Sequence, residues 1–241
     1  MQGYEYVRNA HTMYRPVTPA AALRAIEQGV LPEAAFVYRA GSVKPLFEQP
    51  ADPQEIERVL ARSNLDLDTT LLVLDVLYEM LDDEDPERAL FAAESINGIE
   101  NRYMERIEAL LEAGDKSLEL AHIYYELARI NGRRESLRSF YLHEALKWME
   151  EVHARRERTV DIIALHARLL LEVGRHDDAR EVLTATDQLS RDTRLLVLLA
   201  ELYFRQRNFV RVTTIFYHIQ ANELAADDGL RELATQWSSE Q

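Results

Sequence analysis

The sequence predicts an all-α protein, a right-handed solenoid of antiparallel helix pairs, and three observations carry that prediction. The first is a repeat. Ala167, Leu170, Gly174, Ala179 and Leu183 are matched 33 residues later by Ala200, Tyr203, Arg207, Val212 and Phe216, the spacing of a two-helix solenoid unit. In each row a small residue admits the partner helix closely, and a large one three positions on fills the space beside it. A turn follows near Gly174 or Asn208, and a returning helix puts Ala179 or Val212 at the close contact. The second observation is the helical spacing of apolar residues through most of the chain after residue 51. The third is punctuation: of 7 Pro, five precede residue 51, which divides an irregular segment from a helical remainder.

In order, residues 1–50 read as an irregular N-terminal segment with short helices. Tyr4, Tyr6, Met13, Tyr14 and Pro16 show no helical period and suit a tail packed through its aromatics, or an extended peptide docked on another chain. Thr18 caps a short helix that Pro19 starts and Gly29 ends. Residues 32–50 read as a second short helix and a loop, because Gly41, Ser42 and Pro45 oppose regular structure.

Residues 51–116 read as helical pairs. A helix opens at Asp52-Pro53 with Ile56, Val59 and Leu60 on one face. The next, capped by Asp68 or Thr69, is apolar most of the way round and is expected to be buried. Helices over 86–99 and 101–113 follow, the first capped by Asp85 and started by Pro86, the second stopped by Gly114. From Ser117 the repeat grammar begins with Leu120, Ala121, Tyr124 and Tyr125, answered by a longer returning helix over about residues 134–153. Residues 117–221 thus form three units. Leu230, Leu233, Ala234 and Trp237 mark a capping helix within 222–241, as repeat arrays require.

Composition excludes several functions. With 28 basic against 42 acidic residues the net charge is −14, which repels nucleic acid and anionic membranes at long range. No cysteine is present, so disulfides and thiolate metal sites are excluded. No apolar run reaches the ~20 residues of a membrane span, and the first residues lack a signal-peptide pattern. The seven histidines contain no close metal-binding spacing. Asp82-Asp83-Glu84-Asp85 lacks a calcium-loop pattern and reads as helix capping. Asp66-Leu67-Asp68 has no phosphate-binding loop beside it, and no nucleophile motif occurs. We therefore expect no catalytic residue, no metal and no cofactor. The basic cluster Arg129, Arg133, Arg134, Arg138, Lys147, Arg155, Arg156 and Arg158 is interleaved with Glu135, Glu144, Glu150, Glu151 and Glu157, as on solvated helix faces.

A solenoid implies a groove lined by the first helix of each pair. The positions turned away from the returning helices are His122, Tyr125 and Glu126; then Asp161, Ala164, Arg168, Leu171 and Glu172; then Arg194, Val197, Glu201, Phe204 and Arg205. Tyr125, Leu171 and Phe204 are the expected apolar anchors, and Arg168, Arg194 and Arg205 the charged clamps, of a surface that holds a partner peptide or helix.

The pairs before Ser117, with Asp-Pro between them, look HEAT-like, and the three later units resemble tetratricopeptide repeats without the usual Trp and Pro signposts. A narrower resemblance rests on three stretches: Asp85-Pro86-Glu87-Arg88-Ala89-Leu90-Phe91-Ala92-Ala93-Glu94 with Glu100-Asn101-Arg102-Tyr103; Leu118-Glu119-Leu120-Ala121-His122-Ile123-Tyr124-Tyr125-Glu126-Leu127; and Tyr141-Leu142-His143-Glu144-Ala145-Leu146. Over about residues 53–220, elongated unit included, the chain is similar to the soluble part of the PelE family, membrane-anchored repeat proteins of Pel-type exopolysaccharide export. The resemblance implies a non-catalytic protein–protein interaction scaffold whose partners are other components of a polysaccharide synthase complex. It also implies a cytoplasmic location, peripheral to the inner membrane or anchored there through sequence outside this chain. Two other functions remain open at this point: a regulatory or accessory subunit with a small ligand in the groove, and an RNA-binding helical repeat using the arginines between 129 and 158.

Overall fold

In this computed structural model the described residues are 2–6, 36–40, 53–61, 65–114, 116–154, 158–222, 224 and 228–238, the first two segments by their backbone alone. The described residues are predominantly helical. Strands β1 (Gln2–Tyr6) and β2 (Phe36–Ala40) precede the helices, which are α1 (Pro53–Leu60), α2 (Leu67–Met80), α3 (Pro86–Ala113), α4 (Ser117–Ile130) and α5 (Glu135–Ala154). They continue with α6 (Val160–Glu172), α7 (His176–Thr184), α8 (Thr193–Arg205), α9 (Phe209–Ala221) and α10 (Asp228–Ser238). The chain divides into two compact units, 1–105 and 106–241, the division falling inside α3.

In the first unit β1 and β2 pair antiparallel, with Tyr4 opposite Tyr38. This corrects two expectations: Tyr4 and Tyr6 lie in a strand, and the helix expected after Pro32 gives way to β2 over its later part. Phe36, Val37 and Tyr38 are aromatic or β-branched and favour a pleated backbone over a helix. The helix expected over 18–29 lies outside the described residues. Helix α2 buries Leu72, Val73, Leu74, Val76, Leu77 and Met80, as its all-round apolar surface requires. Its N-cap is Asp66, whose carboxylate accepts from the Thr69 backbone at 2.7 Å, ahead of the expected Asp68 or Thr69.

Helix α3 replaces the two helices expected over 86–99 and 101–113, so those segments do not form an antiparallel pair with each other. The reason is in the sequence. Ala92, Ile96, Ile99, Tyr103 and Ile107 are all buried and recur at steps of three and four, one unbroken stripe. Gly98 inside it costs only ~0.5–1 kcal/mol, too little to break 28 residues. Asp83 accepts from the Asp85 backbone and from Arg88, and Asp85 accepts from the Glu87 backbone. The acidic run is thus a turn and a cap.

In the second unit the helices pack mostly as adjacent antiparallel pairs: α4 with α5, α6 with α7, α8 with α9, and α10 against α9. These sequential pair contacts are consistent with a helical repeat. The last two full pairs match position by position. Ala167 and Ala200, Leu170 and Tyr203, Ala179 and Val212, Leu183 and Phe216 are all buried. Both first helices have a side-chain N-cap, Thr159 and Asp192. Both end in the same turn, with the left-handed position at Gly174 (φ 78°) and Arg207 (φ 58°). The following amides, Arg175 and Asn208, each donate 2.8 Å back to Leu170 and Tyr203, the Schellman arrangement that satisfies the last carbonyls of a helix.

Candidate functional site

Because α6 and α8 lie side by side with a 33-residue offset, each side chain on the shared edge meets its own equivalent. Asp161 and Arg194 occupy one such position and pair at 2.6 Å. Arg168 and Glu201 occupy another and form an ion pair. Glu172 and Arg205 occupy a third, at 3.5 Å. Opposite signs at equivalent positions convert what would be like-charge repulsion into a ladder. Arg138 of α5 extends it onto Glu172, and Arg205 also donates to the Leu171 carbonyl at 2.7 Å and to Glu201 at 2.6 Å. The same logic fixes Asp192: burial pushes its carboxyl up, but hydrogen bonds from the Arg194 side chain and backbone outweigh that and hold it below the usual range.

The three arginines expected as clamps are therefore engaged within the chain. Leu171, expected as an anchor, is 0% exposed and belongs to the core. Leu171 is no exposed anchor because its side chain packs into the core cluster instead of facing outward. Of the other positions, His122 is exposed; Tyr125, Ala164 and Val197 are half-buried. Glu126 is half-buried and 3.7 Å from Arg106.

Phe204 is different. It is Leu171's equivalent, yet 53% exposed. On its returning helix the second pair carries apolar side chains at three positions where the first carries polar ones. Phe209 replaces His176, Val210 replaces Asp177 and Tyr217 replaces Thr184; the three are 48%, 78% and 61% exposed. Trp237 of α10 reaches this region, its ring centroid 6.3 Å from Phe204, 6.2 Å from Phe209 and 6.2 Å from Phe216. Phe204 and Phe209 meet edge to face at 5.8 Å. The result is a partly open aromatic cluster with Val210 beside Phe209 in sequence, bordered by Arg207 and by Arg211, whose guanidinium lies over Tyr203 and donates to its hydroxyl. Sequence reasoning found Phe204 and missed Phe209, Val210 and Tyr217, although the 33-residue alignment displays each polar-to-apolar exchange.

Asp66 is a helix cap, and no cluster of three or more metal-ligating side chains occurs among the described residues. His143 contacts the Ser139 carbonyl and His218 that of Ser190. No helix among the described residues is long and apolar enough to cross a membrane. Compared with protein-family models, with curated proteins and with solved structures, the chain matches none.

Proposed function

We propose that this chain is a non-catalytic protein–protein interaction scaffold, a tetratricopeptide-like solenoid over its second unit, serving in a bacterial Pel-type exopolysaccharide synthesis and secretion complex. The observation that carries the scaffold reading is the exchange of His176, Asp177 and Thr184 for exposed Phe209, Val210 and Tyr217 at equivalent positions. Phe209 gains ring contacts with Phe204 and Trp237. Packing gains little, however, from turning the exposed positions of Asp177 and Thr184 into Val210 and Tyr217, which stay 78% and 61% exposed. Exposed apolar surface of this kind is characteristic of binding faces, and aromatics there supply most of the energy once a partner covers them. The assignment to polysaccharide export is supported by the resemblance of the Asp85-Pro86 stretch and of the α4 and α5 sequences to the PelE family.

The test is co-expression with the synthase components of such a complex, followed by co-purification. The double variant Phe209→His, Val210→Asp restores the first pair's residues at solvated positions. It should lose the partner and keep its helical circular dichroism, with melting lowered only by the lost Phe209 contacts with Phe204 and Trp237. Val210→Asp alone, at a position 78% exposed, should weaken capture with melting unchanged. Full retention of the partner by the double variant would remove this face from the interaction. Failure of any synthase component to co-purify with the unaltered chain would remove the assignment to that complex.

A further inference from the structure

On the flank formed by α5, α6 and α7 lies a cavity of about 240 Å³, unrelated to the aromatic face. Its volume equals the liquid share of about eight waters, the size of a small organic molecule. Its floor is apolar, with Ile162, Ile163, Leu170 and Val182. Above the floor stand two imidazoles, His153 and His166, with ring centroids 5.5 Å apart. His166 is only 9% exposed, makes no hydrogen bond to a described residue, and is not among the polar atoms sealed from solvent. Its ring nitrogens are therefore within reach of solvent at the cavity wall and have no partner among the described residues, leaving their hydrogen-bonding capacity open to a ligand or water.

The charges around the cavity are unequal in availability. Arg175 is occupied by Asp178 at 2.5 Å and Glu150 at 3.6 Å. Of the other charged residues lining the cavity, Arg158 and Glu181, neither makes an ion pair with a described residue, so Arg158 is the cation left available. A cation with delocalised donors beside two imidazoles and an apolar floor matches an acidic headgroup on an apolar body. We infer that this cavity binds a small organic anion, its carboxylate or phosphate held by Arg158 and the paired imidazoles and its apolar part on Ile162, Ile163 and Leu170. The site is independent of the scaffold reading and occupies another face of the repeat.

The imidazoles give binding a signature. The groups facing His166 are Glu150 and His153 of α5, Arg158 ahead of α6, Arg175, and Asp178 and Glu181 of α7. Burial, then His153 and Arg175, push the His166 imidazole down to about 4. A bound anion favours the protonated ring, so binding takes up protons as pH falls toward the free ring's value of about 4, for as long as the probe keeps its charge.

The probes are phenyl phosphate, hexanoate, inorganic phosphate and, as the opposite charge, hexylamine, titrated into the full chain by calorimetry. Saturable binding of phenyl phosphate or hexanoate is expected, the tighter one identifying the headgroup. Arg158→Gln should weaken it about tenfold or more. His166→Leu, which places there the residue found at the equivalent Leu199, should keep the fold and flatten the pH dependence. Hexylamine or inorganic phosphate binding as tightly as the best organic anion would overturn the proposal. So would undiminished affinity in Arg158→Gln, or no saturable binding of either organic anion.

Discussion

The α6–α7 and α8–α9 pairs are nearly the same object in two situations. They share buried small residues, side-chain caps and left-handed turns, yet Leu171 is fully enclosed where Phe204 is half open. The first pair is flanked by helices on both sides: α6 packs against α5 and α8. The second pair has α10 beyond it, which packs on α9 and brings Trp237 only partly over Phe204. Identical local geometry thus yields core at one register position and surface at the next. What decides is the neighbour.

That contrast is sharpened most by truncation at the two equivalent positions. Leu171→Ala should cost ~2–5 kcal/mol in denaturant unfolding, the range for an enclosed leucine. Phe204→Ala should cost about 1 kcal/mol, the loss of its aromatic contacts. Equal costs would mean that the two positions are packed alike.

A second contrast lies at His166 and Leu199, one titratable and one not. The His166 imidazole falls from 6.5 to about 4 on folding, so between those values the unfolded chain binds the extra proton. Its contribution to stability is present above 6.5 and is lost as pH falls toward 4, at up to about 1.4 kcal/mol per pH unit. His166→Leu should abolish that slope in melting curves recorded across the window. An unchanged slope would place the titration elsewhere.

At the turns, Gly174→Ala should destabilise by about 1 kcal/mol, because an added Cβ meets nothing within 4 Å and only the left-handed backbone opposes it. Arg207→Gly should stabilise by a similar or smaller amount, partly offset by the freer unfolded chain. Changes of the same sign would break the equivalence of the two caps. The smallest effect is expected at the ladder: Arg168→Glu with Glu201→Arg should recover most of what either single change loses, with a coupling below ~1 kcal/mol.

Much of this comparison was legible in residue spacing. The Ala167 and Ala200 rows, the turn at Gly174 and the buried α2 follow from periodicity and from the few residues able to adopt special backbone. The charge ladder was also written there, since Asp161, Arg168 and Glu172 each meet an opposite sign 33 positions on. Naming Leu171 as an exposed anchor overlooked that this position packs into the core. The continuity of α3 was missed although the stripe from Ala92 through Ile99 and Tyr103 to Ile107 runs straight through the expected break. The cavity beside His153 and His166 could not be read at all, because those residues come from different helices and converge only when α5 packs on α6.

The account turns on the enclosure of one register position and the openness of its equivalent. The chain has no cysteine, so Leu171→Cys and Phe204→Cys each introduce a single thiol whose reaction with a colorimetric disulfide reagent can be followed under native conditions. The thiol at position 204 should react at nearly the rate of a free thiol, and the one at 171 only as fast as the protein opens. Rapid labelling at both positions would show that α8 does not cover α6, and the stacked arrangement would be wrong.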